Sequence, residues 1–300
     1  MTSSSTKFSL TAQDPQAFSG WLNKLFVLLQ CTEWRGKHRF YLWCVKHFGH
    51  RLIAHKIDDR QFLVPLVEWC FWLEKGPQNY YLQEFGPFCQ LLANLERPFT
   101  LFDLGADIGT VSSLVAAKCT NLNNVIAFEP NPRSFRLLHS NLKQMKCPTL
   151  AVQGAVSNFN GNASLTANLA RVNDHEGHIV AGEEGDVTVV SLDQWIKEHS
   201  DIVLCETLVV KIDVEGQEQQ VMAGALDMFK RAETLILLLE IHPDVLRDTH
   251  TTAEALFTQA EASRKFTWSV PAVGRQVDRS RYFFEQFDEI QYDVIGISAN

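Results

Sequence analysis

Four carboxylates stand at or near the ends of apolar runs of strand length: Asp103 in 99–104, Glu129 after 125–128, Asp213 after 208–212, and Glu240 in 234–241. Lys211 precedes Asp213 by two residues and His242 follows Glu240 by two. Each pair therefore shares one side of an extended chain. The first run breaks into Gly105-Ala106-Asp107-Ile108-Gly109, where glycine permits a sharp turn and close passage of the backbone by a ligand. Strand-end carboxylates beside such a turn accept hydroxyl and amine hydrogens. A histidine, whose reference pKa lies near neutrality, can take a proton from a reacting hydroxyl.

The turn differs from the dinucleotide fingerprint G-x-G-x-x-G, because Ala106 and Asp107 stand where the second glycine and its neighbour would be. Asp107 would repel a pyrophosphate, whereas a cationic, phosphate-free cofactor tolerates nearby carboxylates. S-adenosylmethionine (SAM) is such a cofactor. Glu129 is placed to accept both ribose hydroxyls; the alternative is an acid favoured by a helix dipole. Asp103, with Gly105 and Gly109 beside it, reads as a contact to the methionine end of SAM or as a cap on the next helix. Glu84 precedes the first strand and reads as a lid over the methionine end or as helix surface. The expected cofactor contacts are Glu84, Asp103, Gly105, Ala106, Asp107, Gly109, Thr110, Glu129 and Asp213.

Three ordered segments then sharpen the reading: the Asp103–Gly109 turn, Ser191-Leu192-Asp193, and Lys211-Ile212-Asp213-Val214-Glu215-Gly216-Gln217-Glu218. In order and spacing they resemble the FkbM family of SAM-dependent methyltransferases, over roughly residues 60–245. The resemblance implies a Rossmann-like seven-stranded, mostly parallel sheet with its last strand antiparallel, and O-methylation of sugar or natural-product hydroxyls. Asp107 departs from the asparagine usual in the family's loop.

The chemistry would sit where Lys211, Asp213, Glu240 and His242 converge. His242 is expected to be the general base, Asp213 to position the acceptor or the methionine amine, and Glu240 to orient His242 or bind the acceptor. Lys211 joins them, or only pairs with a carboxylate to settle its own charge. Glu215 and Glu218 begin a helix, where acids are favoured in any case. No local ligand motif marks a metal site; Asp213, Glu240 and His242 are the set that would hold a divalent cation. The readings left open are N-methylation, methylation of a lipid or polyketide hydroxyl, and SAM binding without catalysis.

From about residue 86 to 300, strands and helices alternate. Strands are expected at 99–104, 125–128, 149–156, 208–212, 234–241, 266–270 and 292–297, with helices at 110–119, 132–146, 216–230 and 252–262. Near-continuous apolar strands separated by helices predict a doubly wound α/β sheet covered on both faces. Asn131-Pro132 reads as an N-cap followed by proline at the first helical position. Residues 157–192 interrupt the pattern around Gly161, Gly177, Gly182 and Gly185, and 163–166 with 187–190 predict a small ribbon. Residues 1–85 show helical spacing in Trp21, Leu25, Leu28 and Leu29 and in Phe40, Trp43, Cys44, His47 and Phe48, followed by the aromatic-rich stretch 63–73. They predict a helical or irregular extension whose aromatics form a substrate wall or plain core.

The chain has 300 residues, net charge −8 and 46% hydrophobic residues, an ordinary globular composition. Its acidity does not favour a nucleic acid partner; a small-molecule acceptor is expected, and oligomerisation is left open. The polar start lacks the apolar core of a signal peptide, and no run reaches the ~18 apolar residues of a membrane span. Seven cysteines without a C-x-x-C pair predict reduced thiols. These features predict a cytoplasmic protein, in which the sequon Asn162-Ala163-Ser164 is fortuitous.

Overall fold

The computed structural model of the protein describes residues 15–165, 179–181 and 185–298. The polar N-terminal stretch, Thr166 of the expected ribbon, Gly177 and Gly182 lie outside the described residues.

The chain opens with α1 (Gly20–Cys31) and α2 (Lys37–Phe48). A hairpin of β1 (Leu52–Ile57) and β2 (Arg60–Pro65) follows, then α3 (Trp69–Leu73) and α4 (Leu82–Ala93). Alternation begins with β3 (Phe99–Leu104), α5 (Thr110–Lys118), β4 (Leu122–Glu129), α6 (Pro132–Leu142) and β5 (Thr149–Gln153). A side sheet holds β6 (Ala155–Val156), β7 (Gly161–Leu165), β8 (Ile179–Ala181) and β9 (Val187–Val190). The chain continues through α7 (Leu192–Glu198), β10 (Thr207–Ile212), α8 (Glu218–Ala223), α9 (Leu226–Arg231), β11 (Thr234–Ile241), α10 (Pro243–Asp248) and α11 (Ala253–Glu261). It closes with β12 (Phe266–Val270), β13 (Arg275–Gln276), α12 (Phe283–Gln286) and β14 (Tyr292–Ser298).

The main sheet runs β13-β12-β14-β11-β10-β3-β4-β5. The five strands from β11 to β5 are mutually parallel, and β14 enters antiparallel between β11 and β12. This is the expected seven-stranded doubly wound sheet, extended by the two-residue edge strand β13. The strand order reverses between β3 and β10, which places a ligand crevice at their carboxyl ends.

Every side chain of β3 and β10 is buried. Phe102, Val210 and Leu237 face one hydrophobic cluster; Leu101, Val209 and Ile236 face another on the opposite side. Each buried Leu, Val or Phe side chain contributes about 1.5–3 kcal/mol, so the central strands give the site a rigid floor. In α6, Phe135, Leu138 and Leu142 line the inner face at helical spacing. Asn131 caps that helix by accepting from Arg133 N at 2.9 Å, with Pro132 at the first turn; such a cap contributes about 1 kcal/mol.

Four local departures from expectation are found, three of them with a visible physical cause. The N-terminal region contains the β1–β2 hairpin, closed at Asp58-Asp59 with Asp58 at φ +57°, where only helical or irregular chain is expected from sequence. The hairpin bridges two cores: Leu52, Phe62 and Val64 pack with the main sheet, while Ile53 packs with Phe26, Tyr41 and Trp72. The 149–156 run splits at Gly154, where a Cβ would come within 2.9 Å of Thr188 O, and crosses from β5 to the side sheet. The 216–230 helix splits at Gly224, where a Cβ would lie 2.1 Å from Ser157 O. The helix expected over 132–146 ends at Leu142. The expected ribbon forms as β7 paired antiparallel with β9. All seven cysteines are free thiols, and burial pushes those of Cys44 and Cys89 up to about 11.

Candidate active site

The glycine turn at the end of β3 is wedged against the end of β10. Gly105 adopts φ +73°, and a Cβ there would lie 1.7 Å from Asp213 O; no other residue fits. Gly105 N and Ala106 N donate to Phe128 O at 3.1 and 3.0 Å, which ties the turn to β4. Asp107 also lies in the left-handed region at φ +47°, a conformation asparagine and aspartate tolerate better than most residues. The turn therefore keeps its shape with aspartate in place of asparagine.

Glu129 ends β4 and is buried. Its two carboxylate oxygens accept from Asp107 N at 2.8 Å and Asn131 N at 2.7 Å. Burial pushes its carboxyl up to about 8, helped by the Asp107 charge and opposed by the two backbone donors. Further donors, such as a pair of vicinal hydroxyls, would favour the ionised form.

Lys211 is buried between two carboxylates, 2.9 Å from Asp213 Oδ2 and 3.5 Å from Asp103 Oδ1, and donates to Gly105 O at 2.9 Å. Burial opposes its charge, but Asp213 and Asp103 outweigh that and hold its pKa above the ordinary lysine value. Asp103 also accepts from Ser112 Oγ at 2.5 Å. Lys211 thus locks β3, the glycine turn and β10 together. Glu218 is buried and accepts from Gly216 N at 2.9 Å, closing the left-handed turn at Glu215 and Gly216. In the Ser191-Leu192-Asp193 segment, Asp193 accepts from Asp227 N and Met228 N at 2.9 and 2.8 Å, so it caps α9.

A cavity of about 440 Å³ opens at the carboxyl ends of these strands. Gly105, Asp107, Phe128, Glu129, Pro130 and 154–156 form one part of its wall. Trp69, Phe71, Tyr80, Tyr81, Glu215, Glu240 and Gln291 form another, with Asp213 also on the lining. Glu240 accepts from Gln291 Nε2. Burial, with repulsion from Asp213, Asp293 and Glu215, raises its carboxyl well above the ordinary range. Asp293 stands directly across from it on β14. Burial and the neighbouring charge of Glu84 raise Asp293 as well, and the two carboxyl groups share a hydrogen bond.

Of the residues expected from sequence, Gly105, Asp107, Glu129, Asp213 and Glu240 line the cavity. The others lie off the lining. Asp103 and Lys211 lie buried behind the turn as its ionic lock. Ala106, Gly109 and Thr110 are not on the lining; a Cβ on Gly109 would meet Leu138 of α6, so that glycine serves helix packing. Glu84 turns to Asp293 instead of to the cavity. His242 also lies off the lining, because β11 ends at Ile241 and His242 becomes the N-cap residue of α10. Its Nδ1 is enclosed without a hydrogen-bond partner among the described residues. Oxygens of Asp213, Glu215 and Glu240 lie within 4.8 Å of one another, so Glu215 replaces His242 in the set that could take a hard cation.

Trp69, Phe71, Tyr80 and Tyr81 are a cavity wall, one of the two roles open to the N-terminal aromatics. Asn141 has no sequence signal. Its side chain accepts from Leu63 N at 2.8 Å and donates to Leu63 O and Ile108 O at 3.1 and 2.9 Å, joining the hairpin to the glycine turn.

The cavity chemistry fits SAM. Glu129 would offer acceptors to ribose hydroxyls, Asp107 and Asp213 place carboxylates where a cationic ligand would sit, and among the described residues no lysine or arginine lines the wall to hold a phosphate. Fold and site thus define a methyltransferase of the Rossmann-like class. Residues 103–263, more than half of the chain, match the methyltransferase FkbM domain. The chain belongs to this family of SAM-dependent methyltransferases, and its cofactor is SAM. It is 29% identical over 157 residues to hexuronic acid methyltransferase AglP of Haloferax volcanii, covering 52% of this chain and 61% of that protein. It is 24% identical over 115 residues to ribosomal RNA small subunit methyltransferase F of Serratia proteamaculans, covering 32% of this chain and 24% of that protein. The chain thus spans less than two thirds of the length of either relative. Among solved structures, methyltransferase FkbM from Methylobacillus flagellatus aligns with a TM-score of 0.42 and 14% identity over 75% of this chain and 53% of that one.

Proposed function

We propose that this protein methylates a hydroxyl oxygen of a sugar or related small metabolite. The observation that carries the reading is the raised carboxyl of Glu240 on the cavity wall beside Asp213 and Glu215. An alcohol is a weak nucleophile at neutral pH, and a base whose pKa lies nearer the operating pH removes its proton more effectively. When bound, SAM supplies an electrophilic methyl group. Glu129 holds the ribose hydroxyls, and Asp107 and Asp213 face the methionine amine. Glu240 accepts the acceptor's proton, with Gln291 fixing its orientation. Trp69, Tyr80 and Tyr81 exclude water and give the acceptor ring an apolar surface.

AglP acts on a hexuronic acid by name, which supports a sugar acceptor. The lining here carries Glu68, Asp107, Glu129, Asp213, Glu215 and Glu240 and, among the described residues, no lysine or arginine. A uronate would be repelled by that wall, so the acceptor we propose is neutral or amine-bearing. The acidic wall also suits a second reading, N-methylation of an amine. S-adenosylhomocysteine formation across matched neutral, amine-bearing and uronate sugars tests both readings. Turnover confined to uronates, or absent from all acceptors despite cofactor binding, would contradict the proposal. Methylation at nitrogen in the product would select the second reading.

A further inference from the structure

The outer faces of α1 and α2 combine exposed apolar side chains with basic charge. On α1, Trp21, Leu25 and Leu28 fall on one face, with Trp21 74% and Leu28 58% exposed. The opposite face sends Phe26 into the N-terminal core. On α2, Leu42 and Trp43 are 52% and 50% exposed. Single exposed apolar residues are ordinary, but five on two packed helices mark a contact surface. Phe26 meets Phe40 and Phe48 at ring-centroid distances of 6.3 Å. The helices therefore join through their inner aromatics and turn these outer faces away from the body.

Charge is segregated in the same place. Between Glu33 and Asp58 the chain carries Arg35, Lys37, Arg39, Lys46, Arg51 and Lys56, with His38, His47, His50 and His55 and no carboxylate, although its net charge is −8. Lys37 turns inward to Gln30 O at 2.9 Å. Arg35, Arg39, Lys46, His47 and His50 are exposed, and Lys24 is exposed on the apolar face of α1. This surface backs directly onto the cavity. Tyr41 of α2 donates to Val67 O at 2.7 Å and lies 4.7 Å from the ring of Trp69, a lining residue.

We propose that the outer faces of α1 and α2 dock on an anionic lipid bilayer, holding the acceptor wall close to the membrane surface. Indole rings settle at headgroup depth, the leucines enter the acyl boundary, and the arginines and lysines meet anionic headgroups. Leu25, Leu28 and Leu42 give bases nothing to stack on, which disfavours single-stranded nucleic acid as the occupant. A second copy of the same face would bring like charges together. Among the described residues no helix is long and apolar enough to cross a membrane, so contact is peripheral.

The test is co-sedimentation of the full chain with phosphatidylcholine vesicles and with vesicles containing phosphatidylserine, at low and high salt. Pelleting with anionic vesicles only, weakened by salt, is expected. Arg39→Glu and Lys46→Glu should each lower partitioning by about fivefold or more. Trp21→Ser with Leu28→Ser should abolish pelleting while S-adenosylhomocysteine binding and the unfolding temperature stay unchanged. No pelleting of the wild type, equal pelleting with neutral vesicles, or tighter binding to a single-stranded RNA oligonucleotide would overturn the proposal. So would a dimer that the Trp21/Leu28 variant dissociates, in a protein that ignores vesicles.

Discussion

The two parts of the cavity wall are built differently. The Glu129 side comes from one compact stretch, in which the turn after β3 bonds to the end of β4 and every key group sits within the alternating β–α pattern. The Glu240 side is assembled from distant pieces: residues 68–71 and 80–81, the end of β11, and Gln291 just before β14. The cofactor side is rigid and held by backbone hydrogen bonds. The Glu240 side, where we propose the acceptor binds, is a meeting of side chains from several elements, where specificity can change without disturbing the floor. Lys211 stands behind both, because it holds Asp103 under the turn and Asp213 on the lining.

Substitution at that shared point should have the largest effect. Lys211→Met leaves Asp103 buried without its counter-charge, and removing one partner of a buried pair costs about 3–5 kcal/mol. A depressed unfolding temperature, with cofactor binding and turnover lost together, is expected; a stable, active variant would dissolve the link between the two sides. Next is Glu240→Gln. Loss of a general base should lower kcat by about 10²–10⁴-fold and leave S-adenosylhomocysteine affinity nearly unchanged, by calorimetry beside single-turnover rates.

Glu129 should separate from Glu240 by its pH signature. Its carboxyl is protonated below about 8 in the free protein, and ribose hydroxyls favour the ionised form. Cofactor binding should therefore release a proton near neutral pH and weaken as pH falls below 8. Calorimetry in buffers of different ionisation enthalpy would read that release, and proton uptake would contradict the assignment. The smallest catalytic effect belongs to His242→Ala, which should keep most of the activity because the side chain lies off the lining. A loss as large as that of Glu240→Gln would return His242 to the role of base.

A last expectation concerns the N-terminal core. His55 is buried against Gln30, and burial lowers its pKa to about 4. The unfolded chain binds this proton near pH 6.5 and the folded chain does not, so His55's contribution to stability should be lost as pH falls from about 6.5 to 4. Denaturant midpoints of wild type and His55→Gln across that range would show it.

The asymmetry also explains how much the sequence disclosed. The doubly wound sheet, the glycine turn and Glu129 were legible because each depends on neighbours close in the chain: apolar runs, glycines that need φ above zero, an acid at a strand end. The β1–β2 hairpin was not, because its signal is a modest alternation around Asp58-Asp59 whose two buried faces blur the pattern. His242 departs from expectation because two-residue periodicity holds only to Ile241, where β11 ends. The pairing of Glu84 has no sequence signal for a different reason: its partner, Asp293, lies at the far end of the sequence. The roles of Trp69, Tyr80 and Tyr81 required tertiary packing, since an aromatic on a core face and one on a cavity wall have the same spacing.

The central claim is that binding and chemistry reside on separate parts of one wall, and calorimetric titration of S-adenosylhomocysteine into Glu129→Ala and Glu240→Gln tests it most directly. We predict that Glu129→Ala weakens binding by about 1–3 kcal/mol, the cost of losing a charge-assisted hydrogen bond, while Glu240→Gln binds as the wild type does. Equal weakening in both, or weakening in Glu240→Gln alone, would contradict the account.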